Sequence, residues 1–383
     1  MRIAVIGLGT TGSMVLWHLS QRPGVEVVGF EQFGLNHGYG SYTGESRLFR
    51  SAYHEGPKYV PLLRRAHALW SELGALAGRE LMHPVGALTV APHDDESFQR
   101  LIRSVEASGL EHGLLTTEQL RRRYPQMDIV DGEQGLLDPL GGALRSELGV
   151  LSALEQAQHH GAQCRAHQHI REISEDSRGV TVRTQTHGER FDAVVVTAGS
   201  WAPQLDERVA DLVVARRLLL TWFLPRDASQ FTADRLPGFI RDRDGFHVFG
   251  VPMLDGYSVK VSGGDRWGDL EGLPEHQNLR VDDDAVSAFG ERVAELFPGL
   301  IPEPTRYSLH HDGYTADKTP ILDRSASGRV IIGAGFSGHG FKLAPATGEL
   351  LAQLAVDGEA PLNHPDFAVA AHRPVVPTVS VSG

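Results

Sequence analysis

One cysteine, Cys164, is all that the 383 residues contain. That excludes an intramolecular disulfide and any zinc or iron–sulfur site built from several cysteines. Long apolar runs are missing too: the stretches around Val194–Ala202 and Leu218–Leu224 are far shorter than the ~20 residues of a membrane-spanning helix. The start of the chain lacks the basic region, apolar run and small-residue cleavage site of a secretory signal, so a soluble, cytoplasmic protein is expected. Basic residues are in deficit, 36 against 48 acidic ones for a net charge of −12, which speaks against general binding to nucleic acid or to an anionic membrane. There is no internal repeat and no low-complexity tract. The 19 histidines, among them His159-His160, His167, His169 and His310-His311, follow no recognised ligand spacing, so no metal is expected. No Ser-His-Asp order or nucleophile elbow emerges.

Hydrophobic residues at 41% and charged residues at 22% are enough for a sizeable core. The 43 glycines cluster instead of recurring with a period. Three buried-looking strands each run into a glycine turn: Ile3–Ile6 into Gly7, Phe191–Ala198 into Gly199, and Arg329–Ile332 into Gly333. Together they imply one sheet assembled from separated segments. Helical spacing is visible over 58–75, 94–108, 117–123, 146–160 and 283–297, and a last helix is expected over Pro345–Val356. Strands are expected at 163–173 and 178–187, and 213–263 is strand-rich. The reading is a two-domain α/β architecture with interleaved chain.

Gly7-x-Gly9-x-x-Gly12 lies between a strand and a helix, the context the dinucleotide fingerprint requires. The glycines permit a tight turn and close backbone approach, and the helix N-terminus faces a pyrophosphate. Glu31, 19 residues beyond Gly12, ends the second strand where a carboxylate can hold ribose hydroxyls. The fingerprint alone does not separate NAD from FAD. In Gly40-Ser41-x-x-Gly44-x-Ser46-Arg47-x-x-Arg50 the two arginines, three apart, are read as sharing a helical face. Facing a cofactor, Arg47 would stabilise a reduced ring and Arg50 would clamp a carboxylate; otherwise both are solvated or paired with surface acids. The loop Gly333-x-Gly335-Phe336-Ser337-Gly338-His339-Gly340-Phe341-Lys342 offers backbone N–H groups and a helix N-terminus to an anion, or else is a mobile loop with a surface lysine.

These three segments, with Ala52-Tyr53-x-Glu55-Gly56 and Thr197-Ala198-Gly199-Ser200-Trp201, resemble the monomeric sarcosine oxidase and N-methyltryptophan oxidase family of D-amino-acid-oxidase-like flavoproteins, in the same order along nearly the whole chain. The resemblance implies FAD and a Rossmann-like FAD-binding domain (1–75, 146–208 and 313–372). A strand-rich substrate domain (76–145 and 209–312) is interleaved with it, and 373–383 forms a loose tail. It implies oxidation of an amino acid's amine to an imine by hydride transfer to flavin N5, with O2 reduced to hydrogen peroxide, in a monomer. By position, Arg50 and Lys342 hold the substrate carboxylate with Tyr314 and Phe249 in the pocket. Arg47 and Ser46 lie by the flavin ring, and Lys260 lies near N5 and assists oxygen reduction. The cofactor residues implied are Gly7, Gly9, Thr10, Thr11, Gly12, Glu31, Gln32, Ser41 and Thr43, then Ile170, Gly199 and Trp201, then Gly335, Ser337, Gly338, His339, Gly340 and Lys342.

The sequence departs from that family in places. Asp312, in His310-His311-Asp312-Gly313-Tyr314-Thr315, stands where members carry the cysteine that binds flavin covalently. Cys164, in another segment, is expected to pack as a small apolar residue. Non-covalent FAD is therefore expected, and a carboxylate so placed would lower the flavin potential. Gly264 replaces a histidine and Phe249 a tyrosine, which points away from sarcosine and toward a bulkier or more apolar secondary amine, N-alkyl or cyclic. The rival readings are a dehydrogenase or tailoring oxidase of the same fold, and a flavin-binding protein without turnover.

Overall fold

The computed structural model describes residues 1–53, 56–264, 267–270 and 281–375. Glu55 of the family pattern and residues 376–383 of the expected loose tail lie outside the described residues. A six-stranded sheet is built from distant segments, in the order Ile321–Arg324, Val330–Ala334, Ala193–Val196, Arg2–Ile6, Glu26–Phe30 and Gln163–Arg165. All neighbours are parallel except the antiparallel Ile321–Arg324 edge. Its central strands are apolar runs without alternation, as burial on both faces demands. One face packs against the helices Thr10–Ser20, Val60–Ala77, Ser146–His159 and Gly340–Val356. The other meets Val180, Val182 and Phe191 of the small sheet Glu172–Asp176, Gly179–Arg183 and Gly188–Phe191.

The helices Thr10–Ser20 and Gly340–Val356 cross closely. A Cβ at Gly348 would lie 2.6 Å from Met14 Cβ, so the glycine sets their approach. Each of these helices begins at a glycine-rich turn at the same sheet edge, which faces both turns toward one cleft.

The second sheet has eight strands, ordered Arg306–Tyr314, Val214–Phe223, Val259–Gly263, Phe246–Val251, Gly238–Arg243, Ala87–Pro92, Glu133–Asp138 and Gly113–Leu115. Phe223, Phe231, Phe239 and Phe297 fill its core together with the helix Asp283–Leu296. Within this sheet Arg241, wholly buried, pairs with the equally buried Glu133 at 3.0 Å. A three-stranded sheet of Ser46–Phe49, Gly142–Arg145 and Met82–His83 lies beside it. The fold is thus α/β, a Rossmann-like sheet plus a strand-rich unit.

Several local expectations change. Arg47 and Arg50 share no helical face: Ser46–Phe49 is a strand paired antiparallel with Gly142–Arg145, Arg47 opposite Leu144. The partner lies about a hundred residues away in the chain, and its pairing overrides the local spacing. The stretch 163–173 is two strands of different sheets, Gln163–Arg165 and Glu172–Asp176, separated by a break where His167 is left-handed (φ 57°). The last helix starts at Gly340, so Pro345 is interior and Lys342 sits in the first turn. Cys164 is half-buried against the main core, and burial raises its thiol pKa to about 11.

Candidate active site

The strand Arg2–Ile6 ends in Gly7, which is left-handed (φ 87°). The helix starts at Thr10, with Gly12 beneath the turn. A Cβ on Gly12 would stand 1.8 Å from the Gly7 carbonyl oxygen and 2.6 Å from Thr197 Oγ1. Only glycine fits there, and the consequence is a bare backbone cradle above. A cavity of about 1180 Å³, counted to its open mouth, begins at this cradle, with Gly7, Gly9, Thr10 and Thr11 in its wall. Glu31 and Gln32 line it beside them, as does Ile170. Gly199 and Trp201 come from the second glycine turn. Ser41 and Arg47, then Gly338 and Gly340, close the far end.

Glu31 is buried, and its carboxylate accepts the N–H of Leu8 at 2.9 Å and of Phe33 at 3.0 Å, with His37 Nε2 at 3.4 Å. Burial alone would raise its pKa, but His37 and those N–H groups hold it below the ordinary carboxylate value. It is a fixed anion at the end of the second strand, as the fingerprint expects.

Arg47 donates to the carbonyls of Ser46 at 2.6 Å, Ser41 at 2.7 Å and Thr43 at 2.6 Å. Burial lowers its pKa to about 10, opposed by Glu147 and Asp312. Arg50 and Lys342 converge on one ring. The Arg50 guanidinium lies 4.9 Å from the Tyr53 centroid and Lys342 Nζ lies 5.0 Å from it. His339 stands against the same ring at 6.0 Å. Lys342 is buried, contrary to the surface-lysine reading, and neither it nor Arg50 nor Tyr314 is part of the cavity wall.

Tyr314 is buried at the end of its strand, its hydroxyl beside Gly338 and Arg216 over its ring at 5.0 Å. Phe249 is half-buried on Phe246–Val251, opposite Ser262, outside the cavity wall. Lys260 also lies outside that wall. It is buried, and its Nζ donates to the carbonyls of Gly44 at 2.7 Å and Ser46 at 2.6 Å. Burial first, and then Arg47, push its pKa well below the ordinary lysine value.

The remaining candidates support the wall from behind. Thr43 Oγ1 donates to Gly40 O at 3.0 Å and meets His310 Nδ1 at 2.9 Å. A Cβ on Gly335 would strike Thr315 Cγ2 at 2.5 Å. Ser337 Oγ accepts the Thr315 N–H at 3.1 Å. Ser46 is fully buried, and among the described residues its hydroxyl has no hydrogen-bond partner.

The closing loop has fewer spare donors than its sequence promises. Ser337 N–H bonds Gly313 O at 2.9 Å, and His339 N–H bonds Phe336 O at 3.1 Å. Gly338 N–H bonds Asp312 Oδ2 at 2.8 Å, while Asp312 Oδ1 takes Gly313 N–H at 2.8 Å. Burial raises the Asp312 pKa, with the N–H groups of Gly338 and Gly313 pulling the other way. Anion donors at this end therefore come from the first turn of Gly340–Val356, whose leading N–H groups have no intrahelical partner.

The sequence reading missed an aromatic group in which Phe33 meets His37 and Tyr39 at tilted angles and Trp201 edge-on, at 4.9, 4.6 and 5.9 Å; Phe33, His37 and Trp201 line the cavity. The two-residue step from Glu31 to Phe33 was the only available clue.

Sheet order, fingerprint and acid define a dinucleotide-binding α/β protein with a separate strand-rich unit. Over residues 2–354 the chain matches the family FAD dependent oxidoreductase. It is 31% identical over 360 residues to monomeric sarcosine oxidase of Streptomyces avermitilis, covering 93% of this chain and 94% of that one. To N-methyl-L-tryptophan oxidase of Yersinia pestis it is 30% identical over 379 residues, covering 97% and 99%. In fold it is similar to NikD, an unusual amino acid oxidase essential for nikkomycin biosynthesis, with TM-score 0.82 at 20% identity and 96% of each chain covered. The chain belongs to the FAD-dependent oxidoreductases, in the family of monomeric sarcosine oxidase and N-methyl-L-tryptophan oxidase.

The residues present fit FAD. The Gly7–Gly12 turn is packed so tightly beneath that a Cβ at Gly12 would break it, Glu31 is a fixed anion at the end of the second strand, and the unpartnered Ser46 hydroxyl is buried beside Arg47. No helix among the described residues is long and apolar enough to cross a membrane.

Proposed function

We propose that the protein is an FAD-dependent oxidase of an amino acid whose amine is secondary, N-alkyl or cyclic. The observation that carries this reading is the pair of cations, Arg50 and Lys342, on one ring that also meets His339, between the cavity-lining Gly338 and Gly340. Two converging cations suit a carboxylate, and a carboxylate so held fixes the neighbouring Cα. FAD, when bound, would supply the acceptor for a hydride from the C–H next to the amine nitrogen, leaving an imine as the nitrogen gives up its proton, and the two electrons with two protons would convert O2 to hydrogen peroxide.

The chain supplies position and charge. Gly7, Gly9 and the Thr10 helix terminus hold the pyrophosphate, and Glu31 holds the ribose hydroxyls. Arg47 fixes a positive charge at the ring end. Arg47, Arg50 and Lys342 together make the site a poor place for an ammonium ion, so an amine entering it sheds its proton to solvent and presents its lone pair. Phe249 and Gly264, in place of polar side chains, favour a bulkier or more apolar amine than sarcosine. Asp312 has no thiol to offer, so FAD is held without a covalent bond. The chain divides into an FAD-binding part (1–75, 146–208, 313–372) and a substrate part (76–145, 209–312), and it works as a cytoplasmic monomer.

A dehydrogenase of the same donors is the second reading. It is favoured by Lys260, which is turned onto two carbonyls and pushed toward the neutral form. One experiment tests both. The visible spectrum is taken before and after acid precipitation, and the yellow protein is then mixed anaerobically with a panel of N-alkyl and cyclic amino acids before air is admitted. Yellow in the supernatant, bleaching by a panel member and one peroxide per turnover support the oxidase. Bleaching without peroxide supports the dehydrogenase. A protein that takes up no FAD sinks both.

A further inference from the structure

The turn that leads into Arg47 is held in an unusual shape. Gly44 and Glu45 are both left-handed, φ 103° and 71°. Glycine adopts this freely, whereas a glutamate is strained in it. Such backbone persists only where its surroundings over-determine it, and it clusters at functional sites.

Two side chains clamp the turn from opposite directions. Glu147, in the first turn of Ser146–His159, accepts the N–H of Gly44 at 2.7 Å and of Glu45 at 3.0 Å, and the hydroxyl of Ser146 at 2.9 Å. Its place at a helix N-terminus favours the ionised form. Lys260 reaches the same turn from the second sheet, donating to the carbonyls of Gly44 and Ser46. The residue that follows is Arg47, and its guanidinium bonds are to the main-chain carbonyls of Ser41, Thr43 and Ser46. Carbonyl dipoles orient a cation without neutralising it, so a nearby carboxylate sets how much positive field leaves the cluster. The field of Glu147 acts on both Arg47 and Lys260.

We propose that Glu147 is a positioning residue for the cofactor site: its carboxylate fixes the Gly44–Ser46 turn that aims Arg47 into the cavity, and its charge offsets part of the positive field there. This rests on the reading that Arg47 faces the flavin ring.

The test compares the FAD-loaded wild type with Glu147→Gln and Glu147→Asp. Sulfite is the probe, its dissociation constant read from bleaching of the visible band, and the pH at which flavin N3–H ionises is read from the spectrum. Glutamine keeps an acceptor for one N–H but carries no charge. It should bind sulfite about tenfold more tightly and ionise N3–H at lower pH, because unopposed positive charge favours every anionic form of the ring. Aspartate keeps the charge and should stay within threefold of the wild type. A loaded glutamine variant with both values within twofold of the wild type overturns the proposal. If glutamine prevents loading, aspartate decides: loading with a sulfite constant within threefold of the wild type supports the role, and failure to load overturns the part assigned to charge. A wild type that takes up no FAD instead fails the oxidoreductase reading, before any variant is made.

Discussion

His18 links the two helices that carry the glycine turns, and acid should separate them. It lies in the last turn of Thr10–Ser20, its Nε2 3.0 Å from the carbonyl of Pro345 on the closing helix. That carbonyl requires the neutral ring to present Nε2–H. Burial lowers the His18 pKa from 6.5 to about 4, with Glu349 opposing. A base whose folded pKa is depressed contributes stability that is fully present above its unfolded pKa and is lost as pH falls through the folded one. The window is therefore from about pH 6.5 down to about 4. The gap corresponds to at most about 3 kcal/mol, and solvent reaching the partly exposed ring reduces this to about 2 kcal/mol.

The perturbation is His18→Gln, whose side-chain amide can donate to the same carbonyl but does not titrate. Urea unfolding at pH 7.5, 5.5 and 4.5, followed with flavin fluorescence, should show near-equal stabilities at pH 7.5. By pH 4.5 the wild type should have lost about 1–2 kcal/mol more than the variant, and FAD should be released earlier. Parallel pH profiles for the two proteins would refute the reasoning, because the acid sensitivity would then belong to other groups.

Gly12→Ala places a Cβ 1.8 Å from the Gly7 carbonyl. The turn must open, costing about 1–3 kcal/mol, and the purified protein should carry little FAD by its absorbance ratio. Lys260→Met strips a donor from the Gly44 and Ser46 carbonyls. It should cost about 1–3 kcal/mol in urea unfolding, and on the oxidase reading it should slow reoxidation by O2 more than anaerobic reduction in stopped flow. Glu133→Ala leaves the wholly buried Arg241 without its carboxylate. A loss of about 3–5 kcal/mol is expected, with Glu133→Gln closer to wild type.

What was legible in the sequence is what neighbouring residues decide. An apolar run entering glycine marks a buried strand and a turn, and three such units gave the sheet. Gly12 and Glu31 were legible because the fingerprint is itself a packing rule over a short span. The misreadings share one cause, contacts between distant segments. Arg47 and Arg50 look helical until Gly142–Arg145 pairs with Ser46–Phe49, which ends before Arg50. Pro345 looks like a helix start, yet the loop enters the helix at Gly340. Phe33, His37, Tyr39 and Trp201 form a wall only because a glycine turn from the middle of the chain arrives beside the second strand.

Asp312 shows how one such contact changes the electrostatics of the site. Its two oxygens take the N–H groups of Gly313 and Gly338, while Ser337 spends its N–H on Gly313 and His339 its own on Phe336. A loop that reads as a row of free anion donors thus has a carboxylate from the strand Arg306–Tyr314 seated against it. Negative charge arriving in the cavity must be balanced elsewhere, by Arg47 on one side and by the Gly340 helix terminus with Lys342 on the other. Of these, Arg47 faces Glu147 as well as Asp312, and Lys342 shares its ring with Arg50. The cation with two carboxylates near it suits a ring whose charge changes during turnover, where too strong a field would trap the reduced form. The paired cations suit a substrate carboxylate whose charge stays constant. On the proposed reading Arg47 serves the ring and Arg50 the substrate, and a strand that ends at Phe49, between them, sends the two to different neighbours as the helix their spacing suggests would not.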